Sequence, residues 1–244
     1  MRLFGLIGYP LGHSFSKRFF SEKFEKEGRS DCRYELFPLP ALGGLPALLA
    51  SYPDLEGLKV TIPHKVGVLP YLSACDPISQ AVGAVNTIAV RGGKCLGYNT
   101  DGWGFQRSLE GFIPSGFSSG ALVLGTGGAS RAVCFVLERM GIRHTLVSRT
   151  PGPGMLSYRD LDAEVMERHL LVVQATPAGM SPEIGMCPPI PFHFLSGNHY
   201  LYDLIYNPTE TLFMECARSC GCKVKNGLEM LYLQAERSWE IWNS

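Results

Sequence analysis

The sequence predicts an α/β protein with mainly parallel sheets. Three observations lead there. Apolar strand-like runs alternate with helix-period segments through the first hundred residues. A second alternation starts where the apolar run Ala121–Leu124 enters Gly125-Thr126-Gly127-Gly128-Ala129 and then a helical segment. Strand, glycine turn and helix start, in that order, are the local plan of a Rossmann-like unit. Finally, 244 residues with 45% hydrophobic content can build one large core or two smaller ones.

The elements follow in order. Leu3 to Gly8 reads as a buried strand closed by Tyr9-Pro10, and Ser16 to Glu27 as a helix with Phe19, Phe20 and Phe24 at helical spacing. Tyr34 to Pro38 is a strand, Leu42 to Ala50 a helix and Gly57 to Thr61 a third strand. Pro63 then suits the first turn of a following helix. Thr87–Val90 and Cys95–Tyr98 flank Arg91-Gly92-Gly93-Lys94, which predicts a hairpin. Pro114 to Gly120 reads as a connector. Beyond it come a strand at Ala121–Gly125, a helix at Ser130–Met140 and a strand at His144–Ser148. Pro151-Gly152-Pro153-Gly154 breaks the pattern. Strands at Leu170–Ala175 and Tyr200–Leu204 and a last helix from about Gly227 to Trp242 complete the chain.

Charge and cysteine usage exclude several functions. The 22 basic and 22 acidic side chains balance, so there is no charge reserve for general nucleic-acid or membrane-surface binding. Of the eight cysteines only Cys216, Cys220 and Cys222 cluster, with no Cys-x-x-Cys pair, so no metal site is expected. Reduced thiols in a cytoplasmic protein are the expectation. Leu3–Ile7 is too short for a signal peptide, and no apolar run reaches the ~20 residues of a membrane span.

The glycine turn at Gly125, Thr126, Gly127, Gly128 and Ala129 lets backbone N–H groups approach a pyrophosphate at a helix N-terminus. Ser130 is small enough to keep the helix close to the strand. An acidic side chain at the end of the next strand would bind the ribose hydroxyls of NAD. Here Ser148-Arg149-Thr150 stands instead, and a guanidinium suits a 2′-phosphate. The expected cofactor is NADP. Two ionisable residues just past strand ends, Lys65 in Val60-Thr61-Ile62-Pro63-His64-Lys65 and Asp101 in Gly97-Tyr98-Asn99-Thr100-Asp101, are the candidates for proton transfer beside it. An ordinary ammonium holds its proton too tightly for neutral pH unless its surroundings or a partner assist, and a carboxylate is such a partner. Asp101 also reads as a helix N-cap.

Six segments occur together. They are Gly12-His13-Ser14-Phe15-Ser16, Val60–Lys65, Gly83-Ala84-Val85-Asn86-Thr87, Asn99-Thr100-Asp101-Gly102, Gly125–Ala129 and Gly227-Leu228-Glu229-Met230-Leu231-Tyr232-Leu233-Gln234-Ala235. In this order, across nearly the whole chain, the set resembles that of the shikimate dehydrogenases. The resemblance implies NADPH-dependent reduction of 3-dehydroshikimate to shikimate, on the route to chorismate and the aromatic amino acids. It implies Lys65 and Asp101 as the proton-transfer pair. Ser14 and Ser16 would meet the substrate carboxylate, and Thr61, Asn86, Tyr206 and Gln234 the carboxylate or ring hydroxyls. Ile205 and Gly227 join Arg149, Thr150 and the glycine turn as cofactor contacts. It also implies a substrate domain over residues 1–102, completed by a C-terminal helix over 227–244, and a Rossmann-like NADP domain over 103–226.

Some positions depart from the family pattern. Lys17-Arg18-Phe19-Phe20 follows Ser16, Gln174 replaces the usual Asn, and Pro151–Gly154 stands where a second basic residue is common. Two other functions fit the same fold: an NAD-linked quinate/shikimate dehydrogenase, and a non-catalytic metabolite sensor. The oligomeric state, monomer or homodimer, stays open.

Overall fold

The computed structural model describes residues 1–12 and 14–244, so His13 of the Gly12–Ser16 segment lies outside the described residues. The chain divides into two compact units, Met1–Thr100 with Gln234–Ser244, and Asp101–Leu233.

The first unit carries β1 (Arg2–Gly8), α1 (Phe15–Lys26), β2 (Cys32–Pro38), α2 (Leu45–Ser51), β3 (Leu55–Val60), β4 (Ala74–Cys75), α3 (Pro77–Val82), β5 (Thr87–Arg91) and β6 (Lys94–Tyr98). Among the described residues these strands form one sheet in the order β2-β1-β3-β5-β6-β4. β1 is parallel to both β2 and β3, whereas β5 runs antiparallel to β3 and to β6. The hairpin at Gly92-Gly93 turns the chain back from β5 into β6. Gly92 and Gly93 have φ of 53° and 75°, and a two-residue turn of that hand needs positive φ at both positions. Leu3, Ile7, Leu58, Val60 and Ile88 join one apolar cluster, while Phe4, Leu6, Phe20 and Phe24 join the other. The alternation along β1 is that of a strand covered on both faces.

The second cluster is closed by Trp239 and Trp242, near the end of the chain. The Trp242 ring stacks on Phe4 at 4.9 Å, and its Nε1 donates to the Ile88 carbonyl at 2.9 Å. A Cβ at residue 57 would collide with that ring, which is why β3 carries Gly57 there.

Two expectations need correction. No helix follows Pro63: residues 61–68 form turns, and a short 3₁₀ turn covers Leu69–Tyr71. Gly67 and Pro70 interrupt any helical ladder there. What holds the segment instead is the buried His64, whose Nε2 lies 2.5 Å from the Leu39 carbonyl. The helix expected over Leu42–Ala50 begins as a 3₁₀ turn, Leu42–Gly44, and becomes α-helical only at Leu45, because Gly43-Gly44 is a poor α-helix start. Besides the two-residue β4, the helix α3 goes beyond the sequence expectations. Asp76 caps it by accepting from the Ser79 N–H at 2.9 Å, Pro77 opens its first turn, and Gly83 ends it at φ 68°.

The second unit carries α4 (Thr100–Glu110), β7 (Ala121–Leu124), α5 (Gly128–Arg139), β8 (His144–Val147), α6 (Ala163–Arg168), β9 (Leu171–Gln174), β10 (Tyr200–Asp203), α7 (Leu212–Ser219), β11 (Lys223–Lys225) and the start of α8 (Leu228–Trp242). Its sheet is wholly parallel, in the order β11-β10-β9-β7-β8. Leu122, Leu124, Val172 and Leu201 face one cluster, and Ala121, Val123, Leu171, Val173 and Tyr202 the other. Burial on both faces explains why these strands read as continuous apolar runs. Among the described residues, no helix is long and apolar enough to cross a membrane.

Candidate functional site

In the first unit, backbone hydrogen bonds gather the predicted residues at one sheet end. The Thr61 N–H donates to the Ile7 carbonyl at 3.0 Å, and the Val60 N–H to the Asn86 carbonyl at 2.9 Å. The Lys65 carbonyl accepts from Val85 N–H at 2.8 Å, and the Asn86 N–H reaches the Tyr98 carbonyl at 3.1 Å. Thr61, Lys65 and Asn86 are thereby fixed beyond the carboxyl ends of β1 and β3, where ligands bind in open α/β sheets. Ser14 is the N-cap of α1, its Oγ accepting from the Lys17 N–H at 3.4 Å, and Ser16 lies in the first turn. Capping leaves the Ser14 hydroxyl proton available to an anion.

The side chains beneath form one polar network inside the core. Asn86 Oδ1 accepts from the Thr100 N–H at 2.8 Å and from the Thr100 and Thr87 hydroxyls, each at 3.1 Å. Its other end, Nδ2, is buried and makes no hydrogen bond within the protein. An unpaired buried amide donor costs about 1–3 kcal/mol, so its position asks for an acceptor from a ligand. Gln234 is buried in α8, with Oε1 held at 2.5 Å by Lys59 Nζ. Sequence reading missed Lys59 and Ser238. A lysine between Leu58 and Val60 in an apolar strand was the available signal, as was a serine four residues after Gln234 on the same helix face.

In the second unit, Gly125 has φ 103°, and a side chain there would press on Thr176. Gly127 caps α5 without a side-chain partner, and a Cβ at Gly127 or Gly128 would meet only open space. Thr126 and Ala129 complete a turn whose free backbone N–H groups and helix N-terminus suit a pyrophosphate. The neighbouring loop is braced by Gln174, fully buried, which accepts from the Thr176 N–H and hydroxyl and donates to the Ala178 carbonyl. The departure from Asn therefore has a structural role. Gly227 packs against the Leu204 backbone with no room for a Cβ, and its N–H donates to the Ile205 carbonyl at 3.0 Å. Its glycine is required by packing. Ile205 is buried, and Tyr206 is 41% exposed. Asp101 is not the N-cap of α4. It lies in the first turn, where the helix dipole favours a carboxylate.

Arg149 and Thr150 follow β8. The Thr150 N–H donates to Ser148 Oγ at 3.2 Å, which tightens the strand end. The Pro151–Gly154 break then brings the chain back beside β8. Leu156 pairs with Val147, and the Ser148 N–H donates to the Leu156 carbonyl at 2.9 Å. Ser157 is locked to Asp160 by two bonds of 2.7 Å. This return places Arg159 beside Arg149 around a cleft of about 390 Å³, lined also by Ser148, Ser157 and Tyr158. The second cation missing just after Thr150 comes instead from ten residues beyond Arg149.

Asp203 ends β10 wholly buried, accepting from the Ile205 N–H at 2.9 Å and the Thr211 hydroxyl at 2.6 Å. Burial pushes its carboxyl up to about 6, and the two donors only partly oppose this. A folded-state pKa above the unfolded value contributes stability that is full below about pH 4 and is lost as pH rises through about 6. Asp203→Asn should remove this dependence. In urea titrations the variant should gain on the parent by about 2 kcal/mol between pH 4.5 and pH 7.5, the rest of the difference having developed below pH 4.5.

Comparison with known proteins gives these sites a family. The profile of the shikimate dehydrogenase substrate binding domain matches residues 6–88. An NADP(+) shikimate dehydrogenase of Moorella thermoacetica is 40% identical over 98% of this chain and 87% of its own length. That of Desulforamulus reducens is 37% identical over 98% and 88%. The crystal structure of the Thermus thermophilus shikimate 5-dehydrogenase, in complex with NADP(H) and shikimate, is 32% identical. It superposes with a TM-score of 0.87 over 99% of this chain and 93% of the other. Identity at this level, sustained over almost the full length of both partners, means that the chain belongs to the shikimate dehydrogenase family.

Proposed function

We propose that this chain catalyses the reversible NADPH-dependent reduction of 3-dehydroshikimate to shikimate. The observation that carries the proposal is the buried, unpaired Asn86 Nδ2, on a residue whose backbone is tied to Val60, next to Thr61, and through Val85 to Lys65, a donor suited to a hydroxylated ligand. The backbone cradle at Gly125–Gly128 and the two arginines of the β8 cleft fit a phosphorylated dinucleotide. NADPH, when bound there, supplies the hydride that reduces the ketone carbon.

The chain's own groups supply the rest. Lys65 gives a proton to the carbonyl oxygen as the alcohol forms and takes it back in the reverse direction. Asp101 orients the ammonium and favours its charged form. Ser14 and Ser16 hold the carboxylate, and Thr61, Asn86, Tyr206 and Gln234 the carboxylate and ring hydroxyls, so that one face of the ring is presented. Residues 1–102, completed by 227–244, serve as the substrate domain, and 103–226 as the NADP domain. The eight unbridged cysteines suit a reducing compartment such as the cytoplasm. The enzyme works as a monomer or homodimer.

The test is spectrophotometric. Shikimate with NADP should raise nicotinamide absorbance at roughly 340 nm, with shikimate plus NAD and quinate plus NAD giving much lower kcat/KM. Higher efficiency with quinate plus NAD would assign the NAD-linked quinate activity instead. No turnover with any pair would favour a binding protein.

A further inference from the structure

Lys59 is 4% exposed, inside β3, with its ammonium surrounded by four acceptors. These are Gln234 Oε1 at 2.5 Å, Ser238 Oγ at 2.9 Å, Thr87 Oγ1 at 3.0 Å and Thr100 Oγ1 at 3.2 Å. An ammonium donates and cannot accept. Its three N–H bonds are shared among these four oxygens, so a hydroxyl that accepts from Lys59 sends its own proton elsewhere. The structure supplies those acceptors. Thr87 and Thr100 hydroxyls donate to Asn86 Oδ1, and the Ser238 hydroxyl donates to the Gln234 carbonyl at 2.8 Å. These directions are compatible with one another, and the Thr87–Ser238 hydroxyl pair, 2.9 Å apart, offers either proton a second acceptor.

The consequence reaches two amides. Gln234 must point Oε1 at the ammonium, so its Nε2 is the outer end. Asn86 Oδ1 is saturated by three donors, so its Nδ2 is also the outer end, and this is the atom left buried without a protein partner. Without the ammonium Gln234 could flip by 180° at little steric cost, presenting an oxygen where a donor is needed, whereas Asn86 keeps the Thr100 N–H as a fixed donor to its Oδ1 and loses only the bias that the two hydroxyls add.

We propose that Lys59 is a positioning residue: its donor-only ammonium locks Gln234 with its NH₂ turned to the substrate and, through the Thr87 and Thr100 hydroxyls, reinforces the same orientation of Asn86. The ligand chemistry this selects is an acceptor-rich one, hydroxyl or carboxylate oxygens on a small ring. The inference rests on the shikimate assignment above and goes beyond it, because Lys59 itself need not touch substrate.

The test uses the full-length enzyme with Lys59→Met, which keeps the length of the stem and removes every donor, and Lys59→Gln, whose amide both donates and accepts. Lys59→Met should raise KM for shikimate on the order of tenfold or more, as expected when two orienting contacts are loosened, with KM for NADP within about twofold of the parent. Lys59→Gln should fall between parent and Lys59→Met. On a Gln234→Ala background the Lys59→Met effect on shikimate KM should shrink, because part of it acts through Gln234. A parent-like shikimate KM in folded Lys59→Met overturns the inference, as does full additivity with Gln234→Ala. If Lys59→Met does not fold, a parent-like KM in Lys59→Gln overturns it equally. A parent enzyme that neither oxidises nor binds shikimate overturns the assignment underneath, which is a separate result.

Discussion

Lys65→Ala is expected to lower kcat by about 10²-fold or more, the loss typical of a general acid–base group. The KM values for shikimate and NADP should change by no more than severalfold. The expectation depends on how Lys65 is held. Its turn is fixed by backbone bonds and by the buried His64 ring, all of which survive truncation at residue 65. The substitution therefore removes the proposed proton carrier and leaves that backbone frame. Lys65→Arg is the sharper control. A guanidinium keeps the positive charge but does not give up a proton in the accessible pH range. It should bind substrate and remain nearly as slow as Lys65→Ala. Asp101→Asn should also slow turnover, by less, because the amide can still hydrogen-bond without favouring the charged lysine. Steady-state kinetics in both directions decide the matter. A Lys65→Ala enzyme with parent-like kcat would remove Lys65 from the proton path.

Much of this arrangement is legible in the residues themselves. Strands whose burial is complete on both faces, such as β7 and β9, announce themselves as unbroken apolar runs. The hairpin at Gly92-Gly93 and the turn at Gly125 are readable because positive φ demands glycine. Local signals fail where distant contacts decide. The stretch after Pro63 looks like a helix start by composition, yet it is held as turns through His64 and the Leu39 carbonyl, 25 residues away in sequence. Lys59 can be noticed as an odd residue in an apolar strand. Its meaning needs Gln234 and Ser238, which lie 175 and 179 positions further on. Arg159 is invisible for another reason. The Pro151–Gly154 break reads as the end of a pattern, when it is the reversal that returns Leu156 to the side of Val147.

That reversal gives cofactor choice its strongest expected effect. The glycine turn cannot distinguish NADP from NAD, since both carry the same pyrophosphate. The cleft after β8 can. Arg149 and Arg159 line it together with Ser148, Ser157 and Tyr158; the two serine hydroxyls already donate to the Thr150 carbonyl and to Asp160, so the two guanidinium groups and the Tyr158 hydroxyl are the donors on offer. A 2′-phosphate matches such a set, whereas a bare ribose hydroxyl leaves two guanidinium groups without an anion. A charge-assisted bond contributes about 1.5–3 kcal/mol. Arg149→Ala should then lower kcat/KM for NADP by roughly ten- to a hundredfold while changing the NAD value little. Arg159→Ala should act in the same direction but less, because its backbone sits in the short 3₁₀ turn Tyr158–Asp160 and not at the end of a sheet strand. The double variant should lose most of the preference. Both cofactors must be measured at one ionic strength, since salt weakens an exposed ionic contact. Equal losses with NADP and NAD would show that the arginines act on the fold of the loop. A parent that already prefers NAD would remove the 2′-phosphate from this cleft altogether. If Arg149→Ala is silent while Arg159→Ala is severe, the phosphate sits against the returning loop, and the strand-end position that identifies NADP sites from sequence is the wrong one to read in this chain.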